Sequence, residues 1–153
     1  MIGETGRAGM ADLAFHLCDH LDRIIADTCE ELAGRRAPDD HRFDLAVDSR
    51  APGILRGVVV MWVQGEDAPD VLDVFERVGV HEARTGRDLR ELHRSVCAGG
   101  RVLMRWVVKA AEELGLPAPT LCRVADNAFE CQAAIMRAAA IGYRRALSGV
   151  LQD

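Results

Sequence analysis

Residues 88–114 read DLRELHRSVCAGGRVLMRWVVKAAEEL, and this stretch decides the fold class. Leu89, Leu92, Val96, Gly99, Leu103, Trp106, Ala110 and Leu114 recur at steps of three and four. That spacing puts side chains on one face of an α-helix and is close to a heptad seam. Arg90, Arg94, Arg101, Arg105 and Lys109 occupy much of the opposite face. The pattern predicts a long helix from Asp88 to about Leu114, closed by Gly115-Leu116-Pro117. Inside it, Gly99-Gly100 is out of character, because a glycine in a helix interior costs up to about 1 kcal/mol against alanine. The structural reading of the pair is a close helix crossing or a kink. The functional reading is a gap that forms a ligand cavity beside Leu103, Met104 and Trp106.

The segments on either side carry the same periodicity. Downstream, a helix is expected from about Pro119 to Leu147 with two apolar stripes. One is Leu121, Val124, Ala128, Cys131, Ile135, Ala138 and Gly142; the other is Phe129, Met136, Ala140, Tyr143 and Leu147. A helix apolar on two sides is deeply buried or shared with a second subunit. A dimer interface is therefore expected at Ile135, Ala138, Gly142 and Tyr143. Cavity-lining roles are expected for Trp62, Gly99, Gly100, Leu103, Trp106, Phe129 and Met136.

Upstream, Pro69 opens a helix whose stripe is Val71, Leu72, Val74, Phe75 and Val78, and Thr85-Gly86 ends it. A further helix is expected from Ser49, with Pro52 in its first turn, to Gly65. Its run Val58-Val59-Val60-Met61-Trp62-Val63 would also suit a buried strand. Helix is preferred because no other segment offers a strand partner, and a lone strand leaves its backbone unpaired. The first helix is expected from Asp12 to Ala33, with Leu13, Leu17, Leu21, Ile24, Ile25, Thr28 and Leu32 on its inner face. Residues 1–11 read as a flexible polar lead-in, residues 42–48 as one or two turns, and residues 12–150 as a single helical domain. The fold expected is all-α, a bundle of five or six helices with two long ones at the C-terminal end.

Composition supports this. The chain has 153 residues, 49% of them hydrophobic and 28% charged, which is a globular balance. Aromatics are only 5%, and alanine, leucine and valine favour helix-on-helix packing over a β-sandwich. A net charge of −5 disfavours contact with a phosphate backbone, so no direct nucleic-acid binding is expected. No apolar run is long enough to span a membrane. Five cysteines at scattered spacings, without a C-x-x-C pair, argue against a disulfide framework and for a reduced, cytoplasmic protein.

Motifs of familiar chemistry fail one by one. His16 and His20 lie one helical turn apart, a spacing that zinc or iron could use, but no third or fourth ligand is evident. His93 and Cys97 share that spacing at the edge of the core. His81-Glu82 lacks the second histidine of a metalloprotease helix, since position 85 is threonine. Gly3, Gly6 and Gly9 follow no strand, so they form no phosphate loop. No nucleophile elbow and no Cys/His pair with an orienting acid is present. The residues thus point to no catalysis, no metal and no cofactor.

Residues 81–107, HEARTGRDLRELHRSVCAGGRVLMRWV, resemble the N-terminal domains of PucR-type transcriptional regulators of actinobacteria. Those domains are similar in turn to the N-terminal domain of RsbR-type stressosome proteins. Gly86, Leu89, Leu92, Gly99-Gly100-Arg101, Trp106 and the closing Gly142-Tyr143 carry the resemblance. It implies a helical, globin-like sensory domain, generally without haem, that dimerises through long helices. It also implies a small-molecule or protein signal and a DNA-binding region elsewhere in the parent protein. The function expected is a non-catalytic input domain of a transcriptional regulator, working as a homodimer. The alternative is a haem- or metal-binding globin-like sensor drawing on His16, His20, His81 or His93.

Overall fold

The computed structural model describes residues 2–34 and 50–152. These form α1 (Ile2–Asp19), α2 (Leu21–Ala33), α3 (Ala51–Val59), a π-helical turn (Val60–Gln64), α4 (Pro69–Arg84), α5 (Arg90–Leu114) and α6 (Ala118–Gln152). The fold is all-α, with no strand among the described residues. The expected turns at 42–48 lie outside them. The ambiguous valine run is helical, as its lack of a strand partner requires.

Two boundaries differ from the sequence reading. Helix α1 begins at Ile2 and not near Asp12, so the expected lead-in is helical. The expected single helix also divides at His20, whose backbone (φ −117°, ψ 21°) leaves helical geometry. There His20 Nδ1 lies 2.8 Å from the His16 carbonyl oxygen. Its ring stacks on His16 and on Trp106, with centroids 4.6 Å and 5.7 Å apart. Periodicity alone does not reveal the break, because the apolar face runs on across it: Leu13, Leu17, Leu21, Ile24 and Leu32 are all buried.

Long helices α5 and α6 behave differently. The buried face of α5 comprises Leu92, Ala98, Val102, Leu103, Val107, Ala110 and Ala111, and is broader than the heptad seam. The helix packs on α1 and α2 as well as on α6, so a single stripe does not cover its contacts. Asp88 accepts a hydrogen bond from the Arg90 N–H at 2.9 Å, giving one first-turn donor a partner.

Helix α6 makes its most extensive contact with α4. The two run antiparallel and meet backbone to backbone. A Cβ on Gly79 would overlap the Ala139 carbonyl, and one on Gly142 would overlap the Glu76 carbonyl. Just beyond, Arg145 pairs with Glu76. The first apolar stripe of α6 is thereby drawn inward: Val124, Ala128, Cys131, Ile135, Ala138 and Gly142 are buried.

The crossing predicts a sharp contrast between glycines. Gly79→Ala and Gly142→Ala are each expected to lower stability by on the order of 2–4 kcal/mol, since backbone must move to admit the methyl. Gly149, also in α6, has open space where a Cβ would stand, with nothing within 4 Å. Gly149→Ala is expected to be neutral or to stabilise by up to about 1 kcal/mol, measured by urea unfolding.

Candidate functional site

Helix α3 does not end as a plain α-helix. It widens into the π turn Val60–Gln64, and Gly65 closes it in the left-handed conformation at φ 67°. Such turns often occur at functional sites. Trp62 lies in this last turn, where helix carbonyls run out of N–H partners along their own chain. Its carbonyl accepts a hydrogen bond from Asn127 Nδ2 of α6 at 2.9 Å. Asn127 also packs under Gly65, where a Cβ would stand 3.2 Å from the amide. The π turn is thus clamped to α6, and its Met61, Trp62 and Val63 side chains are buried in the core.

Beside Trp62 lies a cavity of about 130 Å³. Helix α2 contributes Ile25, Thr28 and Leu32; α3 contributes Ile54, Leu55 and Val58; α4 contributes Phe75. Ser95, Val96, Gly99, Gly100 and Leu103 come from α5, and Cys131, Gln132 and Ile135 from α6. No charged side chain lines it among the described residues. The two glycines of α5 act differently. A methyl on Gly99 would meet only Thr28 Cγ2, at 3.7 Å. At Gly100 a Cβ would collide with the side-chain amide of Gln132 and stand 3.9 Å from Trp62 Cζ2, so the missing side chain lets both groups close over the α5 backbone.

The Gln132 amide and the Trp62 ring thus meet over Gly100. Trp62 is only 3% exposed, and its indole Nε1–H has no hydrogen-bond acceptor among the described residues. A buried donor without a partner costs about 1–3 kcal/mol. Cys131 lies next to it and turns its thiol toward Met61 Sδ at 3.7 Å. Burial pushes the Cys131 thiol up to about 11, and the neighbouring Trp62 N–H pulls the other way. Sulfur is a weak acceptor, so the indole N–H is at best poorly satisfied.

Of the residues expected around a cavity, Trp62, Gly99, Gly100 and Leu103 line it. Trp106 does not: it lies half-buried over α2, donating from Nε1 to Asp27 Oδ2 at 2.8 Å. Phe129 is 73% exposed and sits on a neighbouring surface groove with Met104 and Ala125. Met136 is half-buried outside the lining. Among the residues expected at a dimer interface, Ile135, Ala138 and Gly142 are buried within this chain, and Tyr143 is half-buried. Their small side chains serve the α4 crossing, which the sequence stripe does not distinguish from a subunit contact. Thr28, Ile54, Phe75 and Gln132 escape sequence reasoning, because they come from helices whose mutual placement no local pattern reveals.

The histidines stand elsewhere. Among the described residues, none of His16, His20, His81 and His93 lines the cavity, and no group of three or more His, Cys, Asp or Glu could hold a metal ion. His93 Nε2 and Cys97 Sγ make a 3.6 Å surface contact. His81 is exposed and Glu82 buried, the wrong disposition for a metalloprotease motif. No described helix is long and apolar enough to cross a membrane, and all five cysteines are free.

The fold and site define an all-α domain with a largely apolar, ligand-sized pocket between its helices, uncharged among the described residues. A family model described as the RsbT co-antagonist protein rsbRD N-terminal domain matches residues 19–153. The chain belongs to that family of regulatory N-terminal domains. Comparison with curated proteins gives no match, and comparison with solved structures gives none.

Two substitution and labelling measurements bear on this site. Gly99→Ala is expected to raise stability by about 0.5–1 kcal/mol in urea unfolding, since the methyl has room and the helix gains. Thiol labelling at pH 8 should modify exposed Cys122 readily while Cys131 reacts only on unfolding. Its raised pKa keeps the sulfur in the unreactive thiol form throughout that range, and rapid labelling of Cys131 in the folded protein would contradict its placement.

Proposed function

We propose that this chain is a non-catalytic regulatory input domain whose signal is transmitted by changes in helix packing across a homodimer. The observation that carries the reading is the cavity at the π turn, in a member of a family of regulatory N-terminal domains. Five helices meet around that space, so filling it biases their relative positions. The family's description, a co-antagonist of RsbT, suggests a parent protein that acts with an RsbT-type partner. A transcriptional regulator of the PucR type, with its DNA-binding region outside this domain, is the form suggested by residues 81–107.

The dimer surface proposed is the outer stripe of α6. With the inner stripe committed to α4, the residues Phe129, Met136, Ala140, Tyr143 and Leu147 stay half-buried or exposed. Phe129 and Leu147 are 73% and 43% exposed, and aromatic anchors of this sort dominate interface energetics. A small-molecule or protein signal acting in the core would reach this surface along a single rigid helix.

Sedimentation equilibrium tests the assembly. The wild-type domain is expected to be a dimer, and Phe129→Glu to be a monomer that keeps its helical circular dichroism and loses only the concentration-dependent part of its melting temperature. A wild-type monomer at every accessible concentration would remove the dimer from this reading.

A further inference from the structure

The outer stripe of α6 carries enough detail to orient a second copy placed on it. Cys122, Phe129, Met136 and Tyr143 stand seven residues apart, and Asp126, Ala133, Ala140 and Leu147 interleave with them at steps of four and three. That is the two-position seam of a heptad repeat. All eight residues are exposed or half-buried, while the inner stripe of α6 is taken up by α4 and the core. The seam is uneven. One position is bulky at Phe129, Met136 and Tyr143; the other is small at Ala133 and Ala140 and carries a carboxylate at Asp126. We propose that two copies of this chain pack their α6 helices antiparallel along this seam, about a two-fold axis at the level between Ala134 and Ile135. This deepens the homodimer reading above and rests on it.

Three features select this arrangement over a parallel one. A two-fold contact must be self-complementary, so that residue i meets j and j meets i. Antiparallel helices set the partner's Phe129 on Ala140 and the partner's Met136 on Ala133, filling the space over each small residue with a large one. A parallel pair would stack Phe129 on its own copy and Ala140 on its own copy, giving crowded and empty layers in turn. The antiparallel register also puts Asp126 opposite the partner's Tyr143, whose hydroxyl can donate to the carboxylate. In a parallel pair the two Asp126 carboxylates would face each other in the seam and repel. Finally, Ala125 and Gln132 flank the seam on the side of α5, and Glu130 and Arg137 flank it on the other. Both charged residues are exposed, and neither is ion-paired among the described residues. Across the axis each Glu130 meets the partner's Arg137, and flanking charges of this kind set helix orientation. Arg123 and the partner's Arg144 come near one another at the ends, with Asp126 between them.

Native Cys122 is exposed, so disulfide cross-linking of the full chain reads the orientation directly. In the antiparallel dimer Cys122 faces the partner's Leu147, and the two Cys122 thiols lie about 38 Å apart along the helices at 1.5 Å per residue. Oxidation with diamide is expected to give no Cys122–Cys122 disulfide in the wild-type protein. Leu147→Cys is expected to give a dimer linked from Cys122 to the introduced thiol, located by peptide mass spectrometry. In sedimentation equilibrium, Glu130→Arg should weaken dimerisation on the order of tenfold, and the exchanged pair Glu130→Arg/Arg137→Glu should restore it to within about threefold. A Cys122–Cys122 disulfide in the wild-type dimer, no link in the Leu147→Cys dimer, or no recovery in the exchanged pair would overturn the antiparallel packing and leave the homodimer reading standing. A wild-type monomer at every accessible concentration overturns that reading itself.

Discussion

The backbone contact between α4 and α6 fixes the remainder of the structure. At Gly79 and Gly142 two helices touch main chain to main chain, with no side chain between them. Interiors are close-packed and deform little, so an approach this close fixes the rotation and height of α6. Once α6 is fixed, Val124, Cys131 and Ile135 must face inward, and Asn127 falls where it can hold the Trp62 carbonyl. The crossing and the clamp are two ends of one rigid rod.

Between those ends the packing relaxes. Where α4 meets α6 there is no room for a methyl group, yet a few turns away Gly99 has a methyl's worth of free space and a cavity beyond it. A domain that is tight at the crossing and open around Gly99 deforms preferentially at the open part. The π turn borders it through Trp62, whose buried indole N–H has no oxygen or nitrogen acceptor among the described residues. Stored cost of this kind is typical of places where a protein meets something other than itself. A domain whose core holds such a cavity responds to occupancy more readily than one packed throughout.

Much of this is legible in the residues. The three- and four-residue steps of 88–114 and 119–147 specify two long helices, and the glycine pair marks Gly99 and Gly100 as a gap in the packing. Trp62 and Leu103 belong to that gap in both the sequence reading and the structure. The two diverge wherever two faces of one helix compete. Trp106 shares the seam with Leu103 but is drawn outward by Asp27, and Phe129 faces solvent because α6 turns its other stripe to the core. Likewise, the small residues Ala138 and Gly142 announce close approach without naming the partner, which is α4 of the same chain.

By itself, the sequence determined that the chain is helical, which residues are apolar on each helix, and where the backbone lacks side chains. These are local properties, set by periodicity, propensity and the absence of a Cβ. Only the tertiary structure decided which of two apolar stripes is buried, where the first helix breaks, and that Thr28, Phe75 and Gln132 meet around one cavity with Trp62. Those outcomes depend on contacts between residues far apart in the chain, and a helix carries no record of its neighbours in its own pattern.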